Sequence, residues 1–297
     1  MKNLLVILNP AAHSEKAGRL ADRIREVAGD AEIRLSSMPG DAERIAAEAA
    51  AEGYRSIVAA GGDGTVNEVV NGIVASGRGD ITLGILPVGT MNVFAVELGI
   101  PLNSLRKASD VVLAGHSRQI DLPQCVTGDT RRCFVQLAGV GLDAEVVRRT
   151  SRESKNTLGP LSYLLSLAQI VGEKPPLVTL LDGEGRERSG SFVLLGNGRY
   201  YGGPFRVFRR GVPDDGLLDV LVFRNQSPWD LLRYLHAIAM GQHADLPDVE
   251  YFQTLSLEVR SEGQVPFELD GEMAGFLPVS FSVLREGLRV FTPAASA

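Results

Sequence analysis

The chain is 297 residues long, more than one small core needs, and suits two medium domains. Its 44% hydrophobic and 22% charged residues are ordinary for a folded soluble protein. The formal net charge of −6 excludes a general nucleic-acid binder, which needs a basic face to neutralise phosphate.

Leu4–Leu8 is a buried-strand run of five residues that stops at Asn9-Pro10. It is too short for the apolar core of a secretory signal, so a cytoplasmic location is expected. Glu15–Ala28 predicts an amphipathic helix, Glu32–Leu35 a second strand, and Asp41–Glu52 an Ala/Glu-rich helix. Ser56–Ala59 then leads into Ala60-Gly61-Gly62-Asp63-Gly64-Thr65-Val66-Asn67-Glu68, with a helix over Val66–Val74. Glycines there let main-chain N–H groups approach an anion closely. Asp63 would repel a phosphate unless a cation lay between them. Together these point to a metal–nucleotide phosphate site; the plainer reading is a strand–helix turn capped by the Asp.

Ile81–Leu86 is another strand, ending at Pro87-Val88-Gly89-Thr90, with Asn92 close behind. Short apolar strands alternating with helices predict a parallel sheet, in which ligands bind beyond the carboxyl ends of the strands. Asn9-Pro10, Gly61–Thr65 and Gly89-Thr90 all fall at such ends.

After about Asp121 the pattern changes. Cys133–Leu137, Leu177–Leu181, Ser191–Leu195, Leu218–Phe223, Leu255–Val259 and Val279–Leu284 read as strands of a sandwich-like second domain. Helices are expected near Leu158–Val171 and from Ser227-Pro228-Trp229-Asp230, where Ser is a good N-cap and Pro a good first-turn residue. Leu158–Val171 is shorter and more polar than a membrane span. Beside it, Arg148–Lys155 reads as a solvated face or an anionic-lipid contact. Trp229, Leu232 and Leu235 are spaced to pack into the second-domain core. Cys125 and Cys133 are expected as buried thiols, and the four histidines (His13, His116, His236, His243) show no metal-ligand spacing. Arg206, Arg209 and Arg210 read as phosphate-steering groups or as exposed arginines. Gly139-Val140-Gly141-Leu142-Asp143-Ala144 fits a dinucleotide fingerprint but stands outside any run of βαβ units, so a tight turn opening a helix is expected. Asp215-Gly216 and Asp270-Gly271 are hairpin-turn dipeptides when taken singly.

Taken together, Asn9-Pro10, Gly61-Gly62-Asp63-Gly64-Thr65, Gly89-Thr90-x-Asn92, Asp215-Gly216-x-Leu218-Asp219 and Asp270-Gly271-Glu272 resemble the diacylglycerol kinase-type lipid kinases, bacterial relatives of diacylglycerol and sphingosine kinases. The likeness covers nearly the whole chain in order. It implies an α/β fold of two domains with an ATP cleft between them: an N-terminal α/β nucleotide-binding domain with a parallel sheet (NAD kinase/diacylglycerol kinase-like) and a C-terminal β-sandwich-like domain. The first would span 1–121 plus a returning segment 286–297, with Leu288–Phe291 as its last strand, and the second 122–285.

By the same resemblance, ATP would lie against Asn9, Pro10 and Ser36 (usually Thr in the family), Gly61, Gly62, Asp63, Gly64, Thr65, Asn67 and Glu68, and Gly89, Thr90 and Asn92. Mg²⁺ would be held by Asp215 with the carbonyls of Val212 and Leu217, and Asp270 and Glu272 would be the catalytic pair. The acceptor would be a hydroxyl of a lipid such as diacylglycerol, presented at a membrane surface that the protein touches peripherally. Two departures stand out. Val93 replaces a usual Asp, with Glu97 on the same helical face as its substitute, and Ala11-Ala12-His13 replaces a small residue after Asn-Pro. A kinase of soluble hydroxyl compounds shares the Gly-Gly-Asp-Gly-Thr turn, but the Asp-Gly-x-Leu-Asp and Asp-Gly-Glu segments disfavour it. A catalytically weak lipid-binding protein is the third reading.

Overall fold

The computed structural model describes residues 4–10, 17–149 and 177–294. The chain divides into two compact units, residues 1–122 with 285–297, and residues 123–284. The expected helix at Leu158–Val171, the loop residues Ala11-Ala12-His13 and most of the basic stretch Arg148–Lys155 lie outside the described residues.

In the first unit the chain runs β1 (Leu4–Leu8), α1 (Ala17–Ala28), β2 (Glu32–Leu35), α2 (Asp41–Ala51), β3 (Ser56–Gly61), α3 (Asp63–Ala75), β4 (Thr82–Pro87), α4 (Val93–Glu97), α5 (Leu105–Ala114) and the start of β5 (Ser117–Thr127). Strands β2, β1, β3 and β4 lie side by side and pair in parallel, with Val6 against Val58 and Val58 against Gly84. Nearly every residue of β1, β3 and β4 is buried, because helices cover both faces of a parallel sheet. Helix α3 presses closely on α2 at Gly72, where a methyl group would stand 2.7 Å from the Ala46 Cβ.

The second unit continues with β6 (Thr130–Cys133), β7 (Leu137–Val140), α6 (Leu142–Arg149), β8 (Val178–Asp182), β9 (Glu187–Gly190), β10 (Phe192–Gly196), β11 (Tyr200–Tyr201), β12 (Phe205–Arg206), β13 (Leu218–Phe223), α7 (Pro228–Ala239), β14 (Val249–Thr254), β15 (Ser256–Ser261), β16 (Pro266–Leu269), β17 (Glu272–Phe276) and β18 (Val279–Phe291). A six-stranded sheet in the order β14-β13-β10-β7-β16-β17 faces strands β18, β15 and β8 across one apolar core. The two-residue period is plain in β13: Leu218, Val220 and Val222 enter that core. Leu221 and Phe223 enter a second core on the sheet's other face, with Leu231 and Tyr234 of α7 and Leu142 and Val146 of α6. Covered on both faces, β13 is apolar at five of its six positions and buried at all six.

Two strands run from one unit into the other, β5 and β18. Residues 279–282 of β18 pair antiparallel with β15, whereas Arg289 and Val290 pair in parallel with Thr82 and Leu83 of β4. Thus the two expected strands, Val279–Leu284 and Leu288–Phe291, are one thirteen-residue strand, and its end joins the first unit's sheet. Cys125 and Cys133 are buried thiols outside any disulfide on the β5–β6 hairpin, each pushed up to about 11 by burial.

One packing expectation is overturned. Trp229, Leu232 and Leu235 do not enter the second-domain core; Trp229 is 79% exposed, and Leu232 and Leu235 also face solvent. The buried face of α7 is instead Leu231, Tyr234 and Ala237, a stripe with the same spacing shifted round the helix. The Ser227 cap is formed as expected, in a reciprocal capping box with Asp230.

Candidate active site

In the first unit the site residues gather at the carboxyl ends of β1, β3 and β4. The chain leaves β1 through Asn9, whose amide donates to the Ala60 carbonyl (3.0 Å) and whose side chain donates to Thr65 Oγ1 (3.1 Å). Gly62 is the N-cap residue of α3, and no side chain caps that helix start. A methyl on Gly61 would collide with the Thr65 side chain, and one on Gly89 would overlap Gly62 Cα and lie 2.9 Å from Asn92 Oδ1. The turn after β3 and the turn after β4 therefore touch backbone to backbone, which only glycine allows. Asn92 closes the second turn: its Oδ1 accepts from Gly89 N–H (3.0 Å), its Nδ2 donates to Gly89 O (2.7 Å), and its own backbone is left-handed at φ 51°. Asp63 Oδ1 accepts from Phe94 N–H at 3.3 Å, tying the first turn to the start of α4. Ser36 is buried beyond β2 and donates its amide to Leu8 O, and Thr90 is exposed.

Glu68 has a structural task. Both its oxygens accept backbone N–H groups at the start of α2, from Gly40 and Ala42, each at 3.0 Å. It caps a helix whose own N-cap, Gly40, has no side chain to do so. Asn67 likewise accepts from the Asn71 side chain within α3. Glu68→Ala is expected to lower stability by about 1 kcal/mol, the usual worth of a cap. Chemical denaturation reads this directly, and an unchanged midpoint would show that water replaces the carboxylate at no cost.

Val93, 5% exposed, and Glu97 are the first and last residues of α4, one turn apart. An Asp at 93 would put a second carboxylate into a buried position beside the segment that Asp63 holds. Val93→Asp is therefore expected to lower stability by about 1–3 kcal/mol. Thermal melting tests this; an unchanged Tm would mean that position 93 opens to water.

In the second unit, Asp270 and Gly271 are the central residues of a two-residue hairpin loop between β16 and β17, with Leu269 paired to Glu272. Both have positive φ, 48° and 82°, as a type I′ turn demands. The hairpin reading of this dipeptide is thus the one observed. The turn drives the Asp270 side chain inward, where Oδ2 accepts from Val135 N–H (2.9 Å) and Oδ1 from Gln136 and Leu137 N–H (3.0 and 3.1 Å). Three consecutive amides so hold the carboxylate, while its own N–H donates to Leu137 O at 2.9 Å. Glu272, by contrast, is exposed at the start of β17.

Around the expected cation position, Asp215 Oδ1 accepts from Leu217 N–H (2.9 Å), Oδ2 accepts from Gln253 (3.3 Å), and the Asp215 N–H faces Val212 O at 3.4 Å. Asp219 lies deeper; burial, with the Asp215 charge adding to it, pushes its carboxyl up to about 7. Its Oδ1 accepts from the Tyr251 hydroxyl, and its buried Oδ2 has no hydrogen-bond partner among the described residues. No cluster of three or more His, Cys, Asp or Glu side chains suited to a metal occurs among the described residues. A site of one carboxylate and two carbonyls is of a different kind, and the orphaned Asp219 oxygen beside Asp215 fits an added positive charge there.

Arg209 is held by Asp245 (2.7 Å), while Arg206 and Arg210 lie over the Tyr200 and Tyr251 rings. His243 is fully buried with Nε2 2.6 Å from Val207 O, and burial lowers it below the usual imidazole value. His116 and His236 are exposed, and His13 is outside the described residues.

The sequence reading missed a buried acid cluster directly behind the Asp270 turn. Glu268 of β16 is fully buried, and Tyr201 Oη lies 3.2 Å from its Oε1 and 2.6 Å from Asp143 Oδ2 of α6. The available signal was the spacing Gly139-x-Gly141-x-Asp143. A methyl on Gly139 would overlap Asp143 Oδ2 and stand 2.9 Å from both Glu268 Oε1 and Tyr201 Oη. Gly141, at φ 85°, turns the chain from β7 into α6. The apparent dinucleotide fingerprint is thus a strand-to-helix turn that leaves room for two acids.

With this geometry in view, two family models match the chain: the diacylglycerol kinase catalytic domain over residues 3–125, and the YegS C-terminal NAD kinase beta sandwich-like domain over residues 136–292. A diacylglycerol kinase of Staphylococcus carnosus is 30% identical over 98% of this chain and 95% of its own length. One from Bacillus subtilis is 30% identical over 100% and 98%. The chain belongs to the diacylglycerol kinase-like family of lipid kinases. A solved diacylglycerol kinase structure from Bacillus anthracis has the same two-domain architecture, with a TM-score of 0.80 at 25% identity over 99% of this chain and 98% of that one. The fold class expected for a lipid kinase of this type, an N-terminal parallel α/β domain and a C-terminal β-sandwich-like domain, is the one observed. No described helix of this lipid kinase is long and apolar enough to cross a membrane.

Proposed function

We propose that this lipid kinase transfers the γ-phosphate of ATP, with Mg²⁺, to a hydroxyl of a membrane-derived lipid, with diacylglycerol the first candidate. The observation that carries the reading is the start of α3. Its N-terminal amides, uncapped by any side chain, point from a glycine turn that the Gly89 turn touches. A helix N-terminus of this kind favours a polyanion. Asn9 and Thr65, already hydrogen-bonded to each other, supply an amide and a hydroxyl at the same strand ends. The S. carnosus and B. subtilis relatives, both diacylglycerol kinases, support diacylglycerol as the acceptor class.

Phosphoryl transfer through a loose transition state draws most of its rate from positioning and charge neutralisation. Asp270 is the group assigned to the acceptor hydroxyl: its carboxylate is held in one orientation by three amides and accepts the proton as the new O–P bond forms. Glu272, exposed on the following strand, assists it. Asp215, with the Val212 and Leu217 carbonyls, would hold Mg²⁺, a hard cation suited to oxygen donors, which offsets negative charge. The lipid is presented at a membrane surface, and the protein is placed in the cytoplasm with peripheral contact there.

The test is transfer of labelled γ-phosphate from ATP and Mg²⁺ to a total bacterial lipid extract in mixed micelles. An organic-phase product supports the proposal and its mass names the acceptor. ATP binding without lipid product would replace it with a soluble acceptor or a binding role.

A further inference from the structure

The outer face of α7 is apolar where a surface helix is normally polar. Opposite the buried stripe of Leu231, Tyr234 and Ala237 stand Trp229 and Leu232. Met240 follows just beyond the last turn, 60% exposed, and Leu235 lies at the flank. Strand β12 packs beside this helix and adds Phe205, half exposed. The segment after β12 is tied to the helix end, because Arg209 Nε donates to Gly241 O at 3.1 Å. A face that turns Trp, Phe, Leu and Met toward water marks a surface that meets another apolar phase.

This face is joined to the group assigned to the acceptor hydroxyl. The Gln136 N–H donates to Asp270 Oδ1 (3.0 Å), and the Gln136 side chain donates to Tyr200 O (2.9 Å), where the β11–β12 hairpin begins. The hairpin thus connects the residues that hold Asp270 with α7, all within the second unit. The charges name the occupant. With a net charge of −6 the chain as a whole is repelled by an anionic lipid surface, so a face that docks there must have its acids neutralised. Beside α7 they are: Arg233 pairs with Asp230 and Asp248, and Arg209 with Asp245. Arg206 stands exposed over the Tyr200 ring and forms no ion pair among the described residues.

We infer that the α7 face, with Phe205 and Arg206 of the adjoining hairpin, is the surface by which this kinase docks on an anionic phospholipid bilayer. Trp229 and Leu232 enter the boundary between headgroups and acyl chains, and Arg206 meets lipid phosphate. The inference rests on the reading of the acceptor as a membrane lipid whose hydroxyl meets Asp270. A bilayer suits the face better than a folded partner does: Trp, Leu and Met side chains enter the acyl boundary without needing a matching pocket, and an exposed Arg at the edge reaches the headgroups.

Trp229 is the chain's only tryptophan, so its fluorescence reads docking in the unaltered full-length protein. When vesicles of phosphatidylethanolamine and phosphatidylglycerol are added, its emission should shift to the blue, and lipids with a quencher on their acyl chains should quench it. Leu232→Ser combined with Leu235→Ser should weaken vesicle binding by about tenfold or more. Both side chains are exposed, so the Tm should hold. KM for diacylglycerol presented in vesicles should rise by about the same factor, while kcat/KM for a short-chain diacylglycerol dispersed in water stays within about twofold. Arg206→Glu should weaken binding to the anionic vesicles by about fivefold or more and leave binding to phosphatidylcholine vesicles unchanged. Vesicle binding without a change in Trp229 emission, or full binding by the double serine variant, overturns this face. A blue shift that needs no vesicles and tracks protein concentration, with a doubled mass in sedimentation, replaces the bilayer with a second copy of the chain. If the shift and quenching occur while the wild type phosphorylates no lipid, the acceptor reading falls and the docking face stands.

Discussion

Asp270→Asn is expected to lower lipid phosphorylation by about 10²- to 10⁴-fold, the usual worth of a positioned proton acceptor, while ATP affinity stays within about twofold. The substitution is a fair one because Asn tolerates the left-handed φ of 48° that this position adopts. It still has a structural cost. The side chain accepts from Val135 on one oxygen and from Gln136 and Leu137 on the other, and an amide NH₂ cannot accept on one side. A loss of about 1–3 kcal/mol is expected for the amides left without a partner, visible as a lower Tm. Isothermal titration with ATP alongside single-turnover transfer separates the two effects. Retained turnover would remove Asp270 from the chemistry and leave it a role in the turn alone.

Gly89→Ala is expected to have the second largest effect, and at the other substrate. Its methyl would overlap Gly62 Cα and press on Asn92 Oδ1, so the two glycine turns must separate. Such overpacking costs about 1–3 kcal/mol, and here it displaces the uncapped start of α3. ATP affinity should fall by about tenfold or more, with the acceptor's KM changed little. Gly79→Ala is the control, because that position has nothing within 4 Å and no special backbone angle. Unchanged ATP affinity in Gly89→Ala would show that phosphate does not bind across these turns.

The strand-end motifs were legible because their chemistry is local. A buried strand followed by Gly61-Gly62-Asp63-Gly64-Thr65 and a helix specifies a turn geometry within ten residues, and the structure forms that turn. Pro at the first position of α7 and Ser before it likewise set a helix start from four residues. The Asp270-Gly271 dipeptide specified its own hairpin. Its spacing could not show that the carboxylate is gripped by amides 133 to 135 residues earlier in the chain.

Which face of a helix is buried was not legible either. Trp229, Leu232 and Leu235 form as good an apolar stripe as Leu231 and Tyr234, and periodicity cannot rank two stripes on one helix. The sheet beneath α7 made the choice, by offering Phe192 and Phe223 to Tyr234. Glu68 shows the same limit in a polar residue: within the motif it reads as a phosphate-loop member, and only the approach of α2 makes it a cap.

By itself the sequence determined the alternation of strands and helices, the change to β structure after Asp121, and the glycine turns at strand ends. These follow from backbone preference and side-chain period, which act over a few residues. Tertiary structure alone decided that Val279–Leu284 and Leu288–Phe291 are one continuous strand, that Asp270 meets residues 135–137, and that Glu268, Tyr201 and Asp143 share one buried space. Those pairings join positions far apart in the chain, and their energy comes from packing and desolvation that exist only once the sheets have formed.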